Sequence, residues 1–287
     1  MALIVRRRAG IGLALCLAVV AALAAAGCGG SNATPPIIYI TPTPGPATPT
    51  PAPTTPLPSG VTPAPTATPT PGPATPVIGS VVISSDAPDG RWKVTFKKPI
   101  VSGIPAPAAA KINDAITAKV NSLISGFTGP GLPAVQSGDG PSTLEGDFTT
   151  ALDSPTLISL RFTVVTFVTG AAHPVGTPST INFVVSSGDT VALTSLFNDP
   201  TAALPVLSTQ AHAALSADLG ADLTWAGPAT AMSFFDKAWA MTPAGLEFSW
   251  AQGDLASMAA GTPSATLAWT AIKTLIKPSG AAGEFVH

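Results

Sequence analysis

Few side chains in this sequence could do chemistry, and their types and spacing narrow what that chemistry could be. The chain has three histidines, His173, His212 and His287, and two cysteines, Cys16 and Cys28. A hydrolase of the elbow type needs Gly-x-Ser-x-Gly to expose its nucleophile on a tight turn, and a zinc peptidase needs His-Glu-x-x-His to place two imidazoles one helical turn apart. Neither spacing occurs. The expectation is therefore a non-enzyme, with no catalytic residue, no metal site and no cofactor, although distant residues can still converge in a fold.

His173 lies in Thr169-Gly170-Ala171-Ala172-His173-Pro174, after a long predicted strand. A loop of this kind, carried by a rigid element, can offer both imidazole and open backbone to a ligand. Gly170, Ala171, His173 and Pro174 are accordingly the candidate binding residues, against the plainer alternative that His173 only ties its own loop. His212 shares the polar side of a predicted helix with Ser208 and Ser216 and is expected in solvent. Glu145 and Asp147 fall on one face of a strand, where a solvated surface is the expected reading over an acid/base pair. Of the five tryptophans, Trp92 and Trp269 follow strand patterns toward a core, whereas Trp225, Trp239 and Trp250 cannot be placed by spacing.

The elements that must position these residues follow from periodicity. Trp92, Val94 and Phe96 alternate with Lys93, Thr95 and Lys97, the period of a half-buried strand, with Val81 to Ile83 as its neighbour. Ile112, Ile116, Val120, Leu123 and Phe127 then recur at three- and four-residue spacing, an amphipathic helix ending near Gly126. Strands are predicted at Leu144 to Leu152, Leu157 to Thr169, Thr180 to Val185 and Thr190 to Leu193, the last two joined by the turn Ser186-Ser187-Gly188-Asp189. Asp199 and Pro200 start a second helix whose apolar stripe is Leu204, Leu207, Ala211, Leu215 and Leu219, ended by Gly220. A hairpin over Ala238 to Met241 and Leu246 to Trp250, a strand over Ala265 to Trp269 and a short helix from Thr270 complete the chain. Grouped strands with two or three helices predict an α+β fold, a mixed or largely antiparallel sheet covered by helices.

Cys28 carries a different chemistry. Arg6-Arg7-Arg8 is followed by an apolar run from Ala9 to Ala26 and then by Ala25-Ala26-Gly27-Cys28, which resembles a lipoprotein signal peptide. Small residues before the cysteine admit a signal peptidase, and the thiol takes the diacylglycerol. Ala25 stands where that pattern prefers Leu, and an uncleaved membrane helix is the alternative. In either case the basic end stays inside and the remainder is exported.

Residues 33–76 contain sixteen prolines and twelve threonines, with no charged side chain between Cys28 and Asp86. Such composition cannot bury enough apolar surface to fold and favours extended polyproline II, a spacer reaching on the order of 100 Å. The octet Pro-Thr-Pro-Gly-Pro-Ala-Thr-Pro occurs at 42–49 and again at 69–76, as slippage in a low-complexity segment would leave it. The expected organisation is thus a signal peptide at 1–27, the lipidated Cys28 with its Pro/Thr-rich linker at 28–76, and one domain at 77–287.

Charged residues make up 10% of the chain, and the formal net charge is −2; without Arg6, Arg7 and Arg8 it becomes −5, ten basic against fifteen acidic side chains. This balance argues against a nucleic-acid partner. Both cysteines precede residue 77, so a disulfide framework is not expected in the folded part.

Three stretches in order carry a family resemblance: Leu157 to Pro174, ending in Thr169-Gly170-Ala171-Ala172-His173-Pro174; Ile181-Asn182-Phe183 followed by Leu193-Thr194-Ser195-Leu196-Phe197; and Thr242-Pro243-Ala244-Gly245-Leu246-Glu247-Phe248. They resemble the extracytoplasmic DUF3298 domains over 153–278, and the preceding 77–152 is similar to their frequent companion DUF4163. The family motif has two glycines before Ala-His, and the second is Ala171 here, a strained substitution if that position needs a positive φ. The resemblance implies the outer part of lysozyme-sensing anti-sigma factors of the RsiV type. About eight residues precede the apolar run, too few for a domain, so the signalling half is not expected.

The resulting expectation is a cell-surface lipoprotein at the outer face of the plasma membrane, in the cell envelope. Its extracytoplasmic domain would bind a lysozyme-like muramidase or another wall-associated ligand such as peptidoglycan. The alternatives are an enzyme or accessory factor acting on cell-wall glycan, or a surface protein of purely structural role.

Overall fold

The first hairpin is closed by chemistry visible in its turn. Ala87-Pro88-Asp89-Gly90 brings the Gly90 amide to the Ala87 carbonyl at 2.9 Å, with proline at the position whose φ it pre-sets. The strands on either side are β1 (Val77–Asp86) and β2 (Trp92–Ser102), antiparallel over ten pairs. In the computed structural model, residues 75–129, 131–136 and 139–287 are described, and all belong to one compact unit. The leader, Cys28 and most of the Pro/Thr segment lie outside the described residues. No helix among those described is long and apolar enough to cross a membrane.

Parallel strands cannot be joined by a tight turn, so the parallel pairing of β2 with β3 (Ser142–Asp153) requires a crossover. That crossover contains α1 (Ala106–Phe127), which buries Ala108, Ile112, Ile116 and Val120. Asn113 fixes where β2 leaves the sheet. Its amide accepts from the Val101 N–H and donates to the Val101 carbonyl, both at 2.8 Å, taking the place of a neighbouring strand. β3 continues antiparallel into β4 (Leu157–Phe167) and β4 into β5 (Val175–Val184), giving a five-stranded sheet in sequence order.

β4 is buried on both faces over its first four residues, and its two faces belong to different cores. Ile158, Leu160, Phe162 and Val164 join the cluster made with α1, Phe96, Leu144 and Phe183. On the other face Leu157 joins a second cluster, built around α2 (Pro200–Leu219) and a small antiparallel sheet of β6 (Trp239–Met241), β7 (Gly245–Ser249) and β8 (Ser264–Ala268). The order of layers is α1, large sheet, small sheet, α2. Both clusters are made entirely of residues between Ile78 and Val286, so this segment carries its own cores.

The two sheets are joined by side chains bonding to backbone. The Trp239 N–H donates to Thr180 Oγ1 at 2.9 Å, the Asn182 amide donates to the Trp239 carbonyl at 3.0 Å, and the Met241 N–H donates to Ser159 Oγ at 3.1 Å. Ser159 in turn donates to Asn182 Oδ1. Ser159 and Asn182 are paired in the β4–β5 register and both are buried, so with Thr180 they satisfy the Trp239 N–H and carbonyl and the Met241 N–H of β6.

The α+β architecture agrees with the periodicity, and two local expectations are corrected. Thr190–Leu193 is not a strand: Thr190 makes one isolated bridge to Phe183, and Leu193–Leu196 is a 3-10 turn. The turn before it does bring the chain back along β5, the Val191 N–H donating to the Asn182 carbonyl at 2.8 Å, and it is docked on α1, where Gly188, at φ +71°, lies so close that a Cβ would come within 2.7 Å of the Ala108 carbonyl. Trp269 begins the short α3 (Trp269–Ile272) instead of ending β8. The second helix behaves as read, with Asp199 Oδ1 accepting from the Thr201 and Ala202 N–H groups and Gly220 at its end, although Pro205 stands inside it.

Candidate functional site

The loop between β4 and β5 carries the four candidate binding residues, and it is held from below. The Thr169 N–H donates to Ser142 Oγ at 3.0 Å, and the Thr169 hydroxyl donates to the Gly140 carbonyl at 2.7 Å, tying the loop to the start of β3. The Ala171 N–H then closes a turn on the Val168 carbonyl at 2.8 Å. Gly170 takes the positive φ, +85°, and no residue other than glycine does so among those described. Alanine at 171 is therefore unstrained, which resolves the concern raised by the departure from the family motif.

Beyond that turn, 170–174 are exposed. His173 Nδ1 lies 3.2 Å from the Pro174 carbonyl, which can only accept, so Nδ1 donates in that contact. The far side of the loop is secured at Gly176, whose N–H donates to Gln252 Oε1 at 2.9 Å and whose carbonyl accepts from the Gln252 N–H at 3.0 Å.

Next to this anchorage a polar cleft of about 190 Å³ opens between the two sheets. Its floor is the ion pair of Arg161, on β4, with Glu247, on β7, at 2.7 Å, with side chains 29% and 17% exposed. Thr163, Thr262 and Ser264 stand at its edge and Pro178 forms a wall. Ser249 completes it from below, its hydroxyl 3.5 Å from Glu247 Oε1. Sequence reasoning missed this cleft, because its residues come from β4, β5, β7 and the approach to β8 and share no local motif. A larger hollow of about 510 Å³ lies between the β1–β2 turn and the end of α1, beside Asp89, Arg91 and Trp92. There the Arg91 N–H holds the Asp89 carboxyl below its usual range.

The remaining candidates are dispersed. His212 is not solvated as expected. It is half-buried, edge-on to Trp225 with ring centres 5.2 Å apart, and its Nε2 lies 3.1 Å from the Trp225 carbonyl while Nδ1 takes the Ser216 hydroxyl at 3.3 Å. Ser208, placed on the same polar side by the sequence, is buried and accepts from the Ala229 N–H at 2.8 Å. Glu145 and Asp147 are exposed, with Asp147 3.5 Å from Lys97. Trp239, Trp250 and Trp269 are core residues, whereas Trp92 and Trp225 are half-buried. Among the described residues no cluster of three or more His, Cys, Asp or Glu could hold a metal.

These features define an α+β domain of two stacked sheets, with a braced surface loop and a polar cleft at one junction. Residues 194–270 match the family model DUF3298, described as a protein of unknown function. The match runs from the 3-10 turn before α2 to the start of α3. A DUF3298 family protein from Pseudomonas aeruginosa PAO1 has a similar crystal structure, with a TM-score of 0.50 at 11% identity over 72% of this chain and 96% of that one. A second family member, from Bacteroides fragilis NCTC 9343, aligns over 71% and 95% of the two chains at 12% identity, with a TM-score of 0.43. None of the curated proteins compared matches this sequence.

Proposed function

We propose that this protein is a lipid-anchored envelope component whose folded domain binds a protein ligand, a lysozyme-like muramidase, through the loop 168–174. The observation that carries the reading is the construction of that loop. Its base is braced on both sides, by Thr169 to Gly140 and Ser142 and by Gly176 to Gln252, while Gly170, Ala171, His173 and Pro174 are exposed. A surface held in one conformation before the partner arrives spends little entropy on binding. The leader ending at Cys28 supports export and anchoring, and the charge of −5 after its removal favours encounter with a basic partner.

Calorimetry of residues 75–287 against a purified muramidase and against soluble peptidoglycan fragments tests the ligand, with His173→Ala alongside. Micromolar or tighter binding to the muramidase, weakened about tenfold by the substitution, is the expected result. Binding that ignores His173→Ala displaces the interface from this loop, and no binding to either ligand defeats the reading. Anchoring is tested separately in the full chain: Cys28→Ser should release it from the membrane fraction.

A further inference from the structure

We propose that the cleft over Arg161 and Glu247 is a subsite for one neutral sugar ring. Four observations converge on it. First, the floor is charged yet electrically balanced: Arg161 is paired at 2.7 Å with Glu247. An anionic ligand entering there would meet the Glu247 carboxylate, and a cation the guanidinium, so neither charge is favoured. A neutral ligand offering donors and acceptors together can use both groups, since the guanidinium only donates and the carboxylate only accepts.

Second, the lining includes three exposed hydroxyl-bearing residues, Thr163, Thr262 and Ser264, together with Pro178. Hydroxyls donate and accept alike, which suits a polyol, and the proline offers an apolar surface to a ring face. Third, about 190 Å³ is smaller than the roughly 300–1,000 Å³ of pockets for drug-sized ligands, so the cleft has room for a single ring and not for an oligomer.

Fourth, Arg161 Nε is the one buried side-chain polar atom among the described residues that has no hydrogen-bond partner. Leaving a buried donor unpaired is costly, and Glu247 therefore leaves part of this guanidinium unsatisfied. The guanidinium is committed to Glu247 through Nη2 alone. Nη1 makes no hydrogen bond among the described residues and is not enclosed as Nε is, so it is the guanidinium group an incoming hydroxyl or acetamido oxygen would engage.

The subsite is independent of the loop reading above, since it uses none of 168–174. Its test is amide NMR of residues 75–287 titrated with N-acetylglucosamine and methyl glucoside, with acetate and inorganic phosphate as anions. The expected result is a saturable shift at Thr163, Ser249 and Thr262 to Ser264 with at least one sugar, at a Kd of about 1–10 mM, a range appropriate to one ring held by a few hydrogen bonds. Thr163→Val and Thr262→Val keep the side-chain shape and remove the hydroxyl at exposed positions. Together they should weaken sugar binding at least about tenfold with an unchanged Tm. Saturable shifts from acetate or phosphate with both sugars silent would make this an anion site and overturn the proposal. So would sugar shifts confined to another surface, sugar affinity indifferent to the two substitutions, or no shift from any probe.

Discussion

Arg161 and Glu247 meet at 2.7 Å across the junction of the two sheets, with 85 residues between them in the chain. The pair ties β4, at the centre of the larger sheet's antiparallel half, to β7, the middle strand of the smaller one. Truncating one partner leaves the other charge in a partly dry site. Glu247→Ala should destabilise the domain by about 2 kcal/mol, less than the roughly 3–5 of a fully buried pair because both side chains retain some exposure. Replacing both, Arg161→Met with Glu247→Leu, should recover most of that loss. Urea midpoints of the three variants measure the difference.

Asn182 is the second tie between the sheets and has no charge to lose. Its amide bridges Ser159 and the Trp239 carbonyl inside the protein. Asn182→Ala leaves that carbonyl without its side-chain donor and opens a small void, and a loss of about 2–4 kcal/mol is expected. Ser159→Ala, which strands the Met241 N–H, should be nearly as damaging. A double-mutant cycle on these two positions should show strong coupling, since they are bonded to one another.

Gly146 is required by Phe96 across the β2–β3 pairing. A Cβ there would sit 2.2 Å from the Phe96 ring, which is fully buried under α1. Gly146→Ala should cost about 1–3 kcal/mol through overpacking. Combining it with Phe96→Leu should cost less than the two single losses added, a comparison that thermal unfolding can make.

Lys111 on α1 and Asp189 after β5 form an exposed ion pair. The hydrogen bond from the Lys111 ammonium, helped by the Ser187 hydroxyl, holds the Asp189 carboxyl below its ordinary 3.8. The unfolded chain therefore binds the proton more readily than the folded one between the two values. The stabilisation is present above pH 3.8 and is lost as pH falls through the lower folded-state value. Asp189→Asn should lower the urea midpoint slightly at pH 7 and not at all in acid below that value, and raised salt should shrink the pH 7 effect.

Much of the architecture was legible because it is written in nearest-neighbour spacing. The alternation at Trp92, Val94 and Phe96, the stripe from Ile112 to Val120 and the Asp199-Pro200 helix start each depend on residues within a turn or two of one another. Thr190–Leu193 misled for the same reason: its local pattern suits a strand, but after the single bridge at Phe183 the chain turns away to pack Leu193 and Leu196 into the second core. His212 misled through what lies above it, since no helical spacing could announce that Trp225 would fold across that face.

The sequence by itself determined the elements, the α+β class and the candidate loop, because backbone preference and apolar period act over a few residues. The proposed leader ending at Cys28 is read in the same local way, since such a motif needs no fold to be recognised. Tertiary structure alone decided that the first part of β4 would be buried on both faces, that Asn182 would satisfy the Trp239 carbonyl, and that Arg161 would find Glu247. Those pairings depend on which face of one sheet meets which edge of another. That choice is made by the two cores together, and no stretch of sequence short enough to read by period contains it.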